Sequence, residues 1–165
     1  MPAVVSDTSV INYLAAVEQT ELLHIQFGKI YVPPAVWREL HARPNLPGIA
    51  PAGLAQKSGW LVVQEPKPGQ TLNQLRADLD LGEAEAIALA YELKPAIVLL
   101  DESDGRREAR SLGLTIIGTI GILAAARQAG HLKKLKPLLH RLMHDHRFRL
   151  SHALYDQLIG GDQAD

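Results

Sequence analysis

The chain contains no cysteine. That excludes a disulfide scaffold, a thiolate zinc site and a cysteine nucleophile together, and it suits a reducing compartment. No apolar run approaches the ~20 residues of a membrane-spanning helix, so no membrane role is expected. Charge of one sign is also missing: the formal net charge is −1, and no global basic field marks a nucleic-acid binder. Gly118-Thr-Ile-Gly121 lacks the remaining glycine of a dinucleotide fingerprint and the lysine of a phosphate-binding loop, which argues against a nucleotide cofactor. His140 and His144 stand four apart, but the segment reads His-Arg-Leu-Met-His, without the glutamate of a helical zinc motif.

What is present is ordinary for a globular domain: 165 residues, 47% hydrophobic and 21% charged. One domain over residues 1–159 is expected, with 160–165 as a flexible C-terminal tail. The opening Met-Pro-Ala-Val-Val-Ser-Asp has no positive region ahead of its apolar stretch. It reads as a first strand rather than a signal peptide, and a cytoplasmic location is expected.

Charge is unevenly spread. Asp78 to Glu108 carries nine acids against Lys94, Arg106 and Arg107, whereas Arg127 to Arg149 carries seven bases against Asp145 alone. An acidic centre beside a basic segment can set a metal next to a phosphate backbone; two differently solvated helix faces would give the same pattern.

Short apolar, β-branched runs recur at Ala3–Ser6, Ile30–Val32, Trp60–Val63, Ile97–Leu100 and Thr115–Ile117. They hardly alternate, as expected of strands covered on both faces. Helical patterns separate them: one starting at Pro33-Pro34, then Glu83–Leu93, Ser103–Leu112, Thr119–Ala129, Leu135–Met143 and Leu150–Ile159. Arg43–Gly53 and Glu65–Gln70, rich in proline and glycine, read as loops. Alternating strands and helices predict an α/β domain with a mainly parallel sheet.

The carboxylates fall at telling places. Asp7 directly follows the first strand, and Asp101 directly follows Ile97–Leu100. If both strands are central and parallel, both acids share the carboxyl edge of the sheet, where such folds bind ligands. Either Asp can instead cap the helix that follows, though Thr8, Ser9, Ser103 and Asp104 compete for that task. Glu39 borders the apolar face of its helix beside Leu40, and Glu83 lies on the stripe of Ile87 and Tyr91. Glu85 shares a face with Leu89 and Glu92 and reads as more solvated. Helix-end glutamates commonly just reach solvent or complement the dipole. Brought together, four carboxylates would repel one another, so that one would take up a proton unless a cation neutralised them. A site of hard oxygen ligands suits Mg2+ or Mn2+.

Taken in order, these segments resemble a PIN-domain protein, of the kind found in VapC-type toxin ribonucleases and in a DUF3368-like subgroup. The resemblance rests on Ala3-Val-Val-Ser-Asp-Thr-Ser-Val-Ile-Asn-Tyr-Leu14, on Val32-Pro-Pro-Ala-Val-Trp-Arg-Glu-Leu40, on Leu81-Gly-Glu-Ala-Glu-Ala-Ile-Ala-Leu-Ala90 and on Leu99-Leu-Asp101. Gly118-Thr-Ile-Gly-Ile-Leu123 and Phe148 to Leu158 also look like one subgroup, so nearly the whole chain is covered. One departure is Glu83 where many PIN nucleases have Asp, with Glu85 as competitor; another is Asp104 close behind Asp101.

The resemblance implies a three-layer α/β/α domain and a Mg2+- or Mn2+-dependent endoribonuclease. Asp7, Glu39, Glu83 and Asp101 would be both catalytic and metal-holding. Ser9, Thr119 and Asp104 would support them, and Arg106 and Arg107, with the basic run after Arg127, would meet the RNA backbone. It further implies a toxin–antitoxin role with a cognate antitoxin protein, and a homodimer. From another class comes a second reading, a PIN-like protein- or RNA-binding module with little or no catalysis. A haloacid-dehalogenase phosphatase would need a second Asp two residues after Asp7, where this chain has Ser9.

Overall fold

The computed structural model describes residues 1–42 and 45–163. In chain order the elements are β1 (Ala3–Ser6), α1 (Thr8–Ala16), α2 (Glu21–Phe27), β2 (Ile30–Val32), α3 (Pro34–Ala42), α4 (Ile49–Lys57), β3 (Leu61–Val63) and α5 (Gln70–Asp78). They continue with α6 (Leu81–Glu92), β4 (Ala96–Leu99), α7 (Ser103–Ser111), β5 (Thr115–Ile117), α8 (Thr119–Gln128), α9 (Lys136–Asp145) and α10 (His152–Ile159). Among the described residues no helix is long and apolar enough to cross a membrane.

The five strands form one parallel sheet in the order β3-β2-β1-β4-β5. Each strand is three or four residues long and covered on both faces, which explains why the sequence runs lack alternation. Neighbouring residues of one strand feed opposite layers. Val4 and Leu99 join a core with α1, α2, α4, α8 and α9, while Val5, Val98 and Leu100 join a second core with α5, α6 and α7. The architecture is thus the expected α/β/α sandwich.

The chain leaves β1 toward β2 on one side, and β4 later adds on the other. β1 is therefore the switch point of strand order, where a crevice opens at the carboxyl edge of the sheet. Ser6 pairs with Leu99, and the Asp7 N–H donates to the Leu99 carbonyl at 3.0 Å, so β1 and β4 end level.

Three helices differ from the sequence reading. The segment expected to be a loop, Arg43–Gly53, contains the start of α4; Arg43 itself lies outside the described residues. Pro51 falls in the first turn of that helix, where a missing N–H removes no intrahelical bond, and Ala52 and Ala55 are buried. The sequence pattern does not mark α2 or α5. Each is short and buries only two leucines, Leu22 and Leu23 or Leu72 and Leu75, too few to mark a period.

Candidate functional site

Five carboxylates reach the crevice beyond β1 and β4. Asp7 stands at the N-cap of α1 but makes no capping bond to the N–H groups further in. Only 3% of its surface is exposed. Burial pushes its carboxyl up to about 7; the Thr8 amide lowers it, and Asp80, Glu39 and Asp101 raise it further.

Glu83 enters from the first turn of α6, where every residue from Gly82 to Ala90 is buried. Its carboxyl is pushed up to about 8 by burial, then by the charges of Asp80 and Asp7 and a hydrogen bond with Asp80. Glu39, half-buried on α3, accepts a hydrogen bond from the Thr8 hydroxyl at 2.5 Å. Its carboxylate lies so tightly on Gly82 that a Cβ there would overlap both oxygens. Glycine at 82 is what lets α3 lay an acid beside the first turn of α6.

Asp101 is held by Thr119 at the head of α8, whose N–H donates to Oδ1 at 2.9 Å and whose hydroxyl donates to Oδ2 at 2.7 Å. Gly118 leaves room for that clasp, because a Cβ on it would collide with Arg106 and with Asp101.

Asp80, which the sequence reading does not single out, also reaches this edge. It is the N-cap of α6, accepting the Glu83 N–H at 2.9 Å, and its charge acts on both Asp7 and Glu83. An Asp three residues before a Glu at a helix start resembles a capping box, which is the one signal that could have found it. Thr8, a cap candidate by sequence, steadies Glu39 through its hydroxyl.

Other expected residues stand apart. Glu85 is a correction: it is 5% exposed rather than solvated, and it accepts the Ala35 N–H at 3.3 Å at the head of α3. Its helix is wrapped by the sheet, α3, α5 and α7, so an outer face cannot be inferred from spacing. Asp104 is exposed and paired with the equally exposed Arg107 at 2.9 Å, which takes both away from the crevice. Ser9 is half-buried and makes no side-chain hydrogen bond among the described residues. Arg106 does reach the edge, its Nε donating to the Leu100 carbonyl at 2.9 Å. Arg127 is committed elsewhere, binding the Leu158 carbonyl at 2.5 Å and Asp162 at 2.7 Å.

Chemically the edge is a set of hard oxygen donors. Among the described residues neither Asp7 nor Glu83 has a cationic side chain paired with it. Carboxyls held this far above their ordinary range want either a proton or a cation, and oxygen donors with no nitrogen or sulfur suit Mg2+ or Mn2+. The donor set fits such an ion. Among the described residues, however, no three acidic or histidine side chains are drawn closely enough together to hold a metal as they stand.

A family model described as DUF3368, a PIN domain, matches residues 3–161. Among solved structures, a PilT N-terminus domain protein of the hyperthermophilic archaeon Sulfolobus solfataricus is similar at 21% identity, over 76% of this chain and 92% of that one, with a TM-score of 0.39. No curated protein matches.

Proposed function

Since the chain belongs to the PIN-domain family, a group of nuclease folds, we propose that it is a Mg2+- or Mn2+-dependent ribonuclease hydrolysing RNA phosphodiester bonds. The observation that carries this reading is the burial of Asp7 and Glu83, with raised carboxyls and no cationic partner, at the switch point of a parallel sheet. Such an arrangement is costly to the fold and stands where ligands bind, so function is its explanation.

Asp7, Glu83, Glu39 and Asp101 would hold the ion, with Asp80 as a fifth acid within reach. When bound, a divalent cation would supply charge stabilisation on the phosphate oxygens and ease ionisation of the attacking water. The chain's own residues do the positioning. Thr8 steadies Glu39, Thr119 steadies Asp101 through both oxygens, and the sheet register sets Asp7 level with the end of β4.

A role as the toxin of a toxin–antitoxin pair, a cognate antitoxin, a homodimer, a cytoplasmic place of work and a single domain over residues 1–159 rest on family resemblance and sequence. A PIN-like binding module with little or no catalysis is the second reading, and what favours it is the absence of a ready three-acid cluster among the described residues.

Calorimetry of Mn2+ and Mg2+ binding, with RNA cleavage on the same samples, tests the proposal. Wild type is expected to bind metal and cleave, Asp7→Asn and Glu83→Gln to lose most of both, and Glu85→Gln to keep them. Metal binding without cleavage of any RNA selects the binding module. Folded wild type that binds neither ion ends the metal mechanism.

A further inference from the structure

Beside the acidic edge lies a cavity of about 600 Å³, walled on one side by Asp101 and Glu102 and on the other by the connection from α9 to α10. Tyr13 and Phe148 meet edge-to-face at 4.9 Å in its apolar part, and Arg106, Arg147 and Arg149 line it. Among the described residues Arg147 and Arg149 make no hydrogen bond or ion pair, and both are exposed. Three guanidinium groups beside an aromatic wall match a phosphate joined to an unpaired base. The volume lies within the ~300–1,000 Å³ of small-ligand sites.

Arg147 carries the argument further. It follows the C-cap His146 of α9 with φ 55°, while the Phe148 N–H closes back onto the Leu142 carbonyl at 2.9 Å. This is the left-handed position after a helix that glycine normally fills. An arginine there is strained, and nothing in the fold uses its side chain. Strain at such a position, with the side chain facing a cavity, points to a ligand.

We propose that this cavity is a subsite for one nucleotide of single-stranded RNA adjacent to the scissile phosphate, its phosphate held by Arg147 and Arg149 and its base against Tyr13 and Phe148. The proposal rests on the ribonuclease reading and names how that site grips its substrate. An RNA duplex does not fit, because its paired bases cannot enter the cavity.

The test is Arg147→Gly, Arg149→Ser and, as a control, Arg110→Ser at the exposed far end of α7. Each is assayed for Mn2+-dependent cleavage of a mixed-sequence single-stranded RNA, for binding of that RNA by fluorescence anisotropy, and for thermal stability. Glycine suits the backbone at 147, so Arg147→Gly should keep or raise the melting temperature. The apparent KM should rise roughly tenfold for each cavity arginine removed, with kcat less affected. The slope of log affinity against log salt should shrink by about 0.7 per arginine. Arg110→Ser should do neither, and a matched duplex should compete poorly. Wild-type KM and salt slope in Arg147→Gly, in a sample that cleaves RNA, overturn the subsite and leave the nuclease standing. RNA binding lost in Arg147→Gly where wild type binds but never cleaves supports the subsite and overturns the nuclease. No RNA binding and no cleavage by folded wild type overturn both, and equal competition by duplex overturns the unpaired-base assignment.

Discussion

Replacing Asp7 by Asn should make the metal-free protein more stable while abolishing its response to metal. The Asp7 carboxyl is raised from 3.8 to about 7, so between those values the folded state holds a proton that the unfolded state has released. Stability must then fall as pH rises through that window, and the loss is complete only above the folded value. A shift of about 3 units at 1.36 kcal/mol each amounts to on the order of 4 kcal/mol, an upper figure because Glu83 titrates against the same charge. For a chain of 165 residues, with roughly 2–4 °C per kcal/mol, the wild-type melting temperature should drop by roughly 10 °C between pH 4.5 and pH 8.5 in a chelator. Asn cannot ionise, so the variant should lose the Asp7 share of that drop, keep the share that Glu83 contributes, and melt above wild type at pH 8.5, while the two should be close at pH 4.5. Adding Mn2+ at about 100 times its dissociation constant should restore about 2.7 kcal/mol to wild type and nothing to the variant. Differential scanning fluorimetry across pH, with and without Mn2+, reads all of this. A variant that melts below wild type at pH 8.5 without metal, or a wild type indifferent to pH over this range, would refute the electrostatic reasoning.

Further expectations concern the supports around the site. Gly82→Ala should displace the mobile end of Glu39 and weaken Mn2+ binding at least tenfold in calorimetry, with a small change in melting temperature. Thr119→Val keeps the N–H bond to Asp101 but loses the hydroxyl, costing about 1–2 kcal/mol in denaturant unfolding and lowering metal affinity. Glu85→Gln retains an acceptor for the Ala35 N–H and should leave metal binding intact, whereas Glu85→Ala should destabilise by about 1–3 kcal/mol. Asp162 accepts from Arg127, from the Leu135 N–H at 2.6 Å and from the Lys136 N–H at 3.1 Å. Burial pushes its carboxyl up, but those three donors outweigh it and leave it below the ordinary range. Its stabilisation is therefore present at neutral pH and lost as pH falls through the folded value, so Asp162→Ala should cost about 1–3 kcal/mol at pH 7 and much less in strong acid.

Much of this protein is legible in its residues alone. Five short β-branched runs between helical patterns lead to a parallel sheet, because strands buried on both faces need no polar alternation. An Asp at the end of β1 and another just beyond β4 follow from chain position, since a parallel sheet brings strand ends to one edge. The family resemblance is carried by the same segments and agrees with the match over residues 3–161. Tertiary packing decided the remainder. Glu85 is buried and Glu83 faces the crevice because α6 is enclosed on every side, which makes helical period uninformative there. Thr8 joins the edge through a contact with Glu39, 31 positions away, that no local pattern records, whereas Asp80 carries only the local signature of a cap to Glu83. Arg147 and Tyr13 meet across one cavity although 134 positions separate them in the chain. Local propensity and pattern act over a few residues, and they set which elements form and where each ends. Which carboxylates are desolvated together, and which arginines are left without partners, depends on distances between elements far apart in sequence, and only the folded packing supplies those.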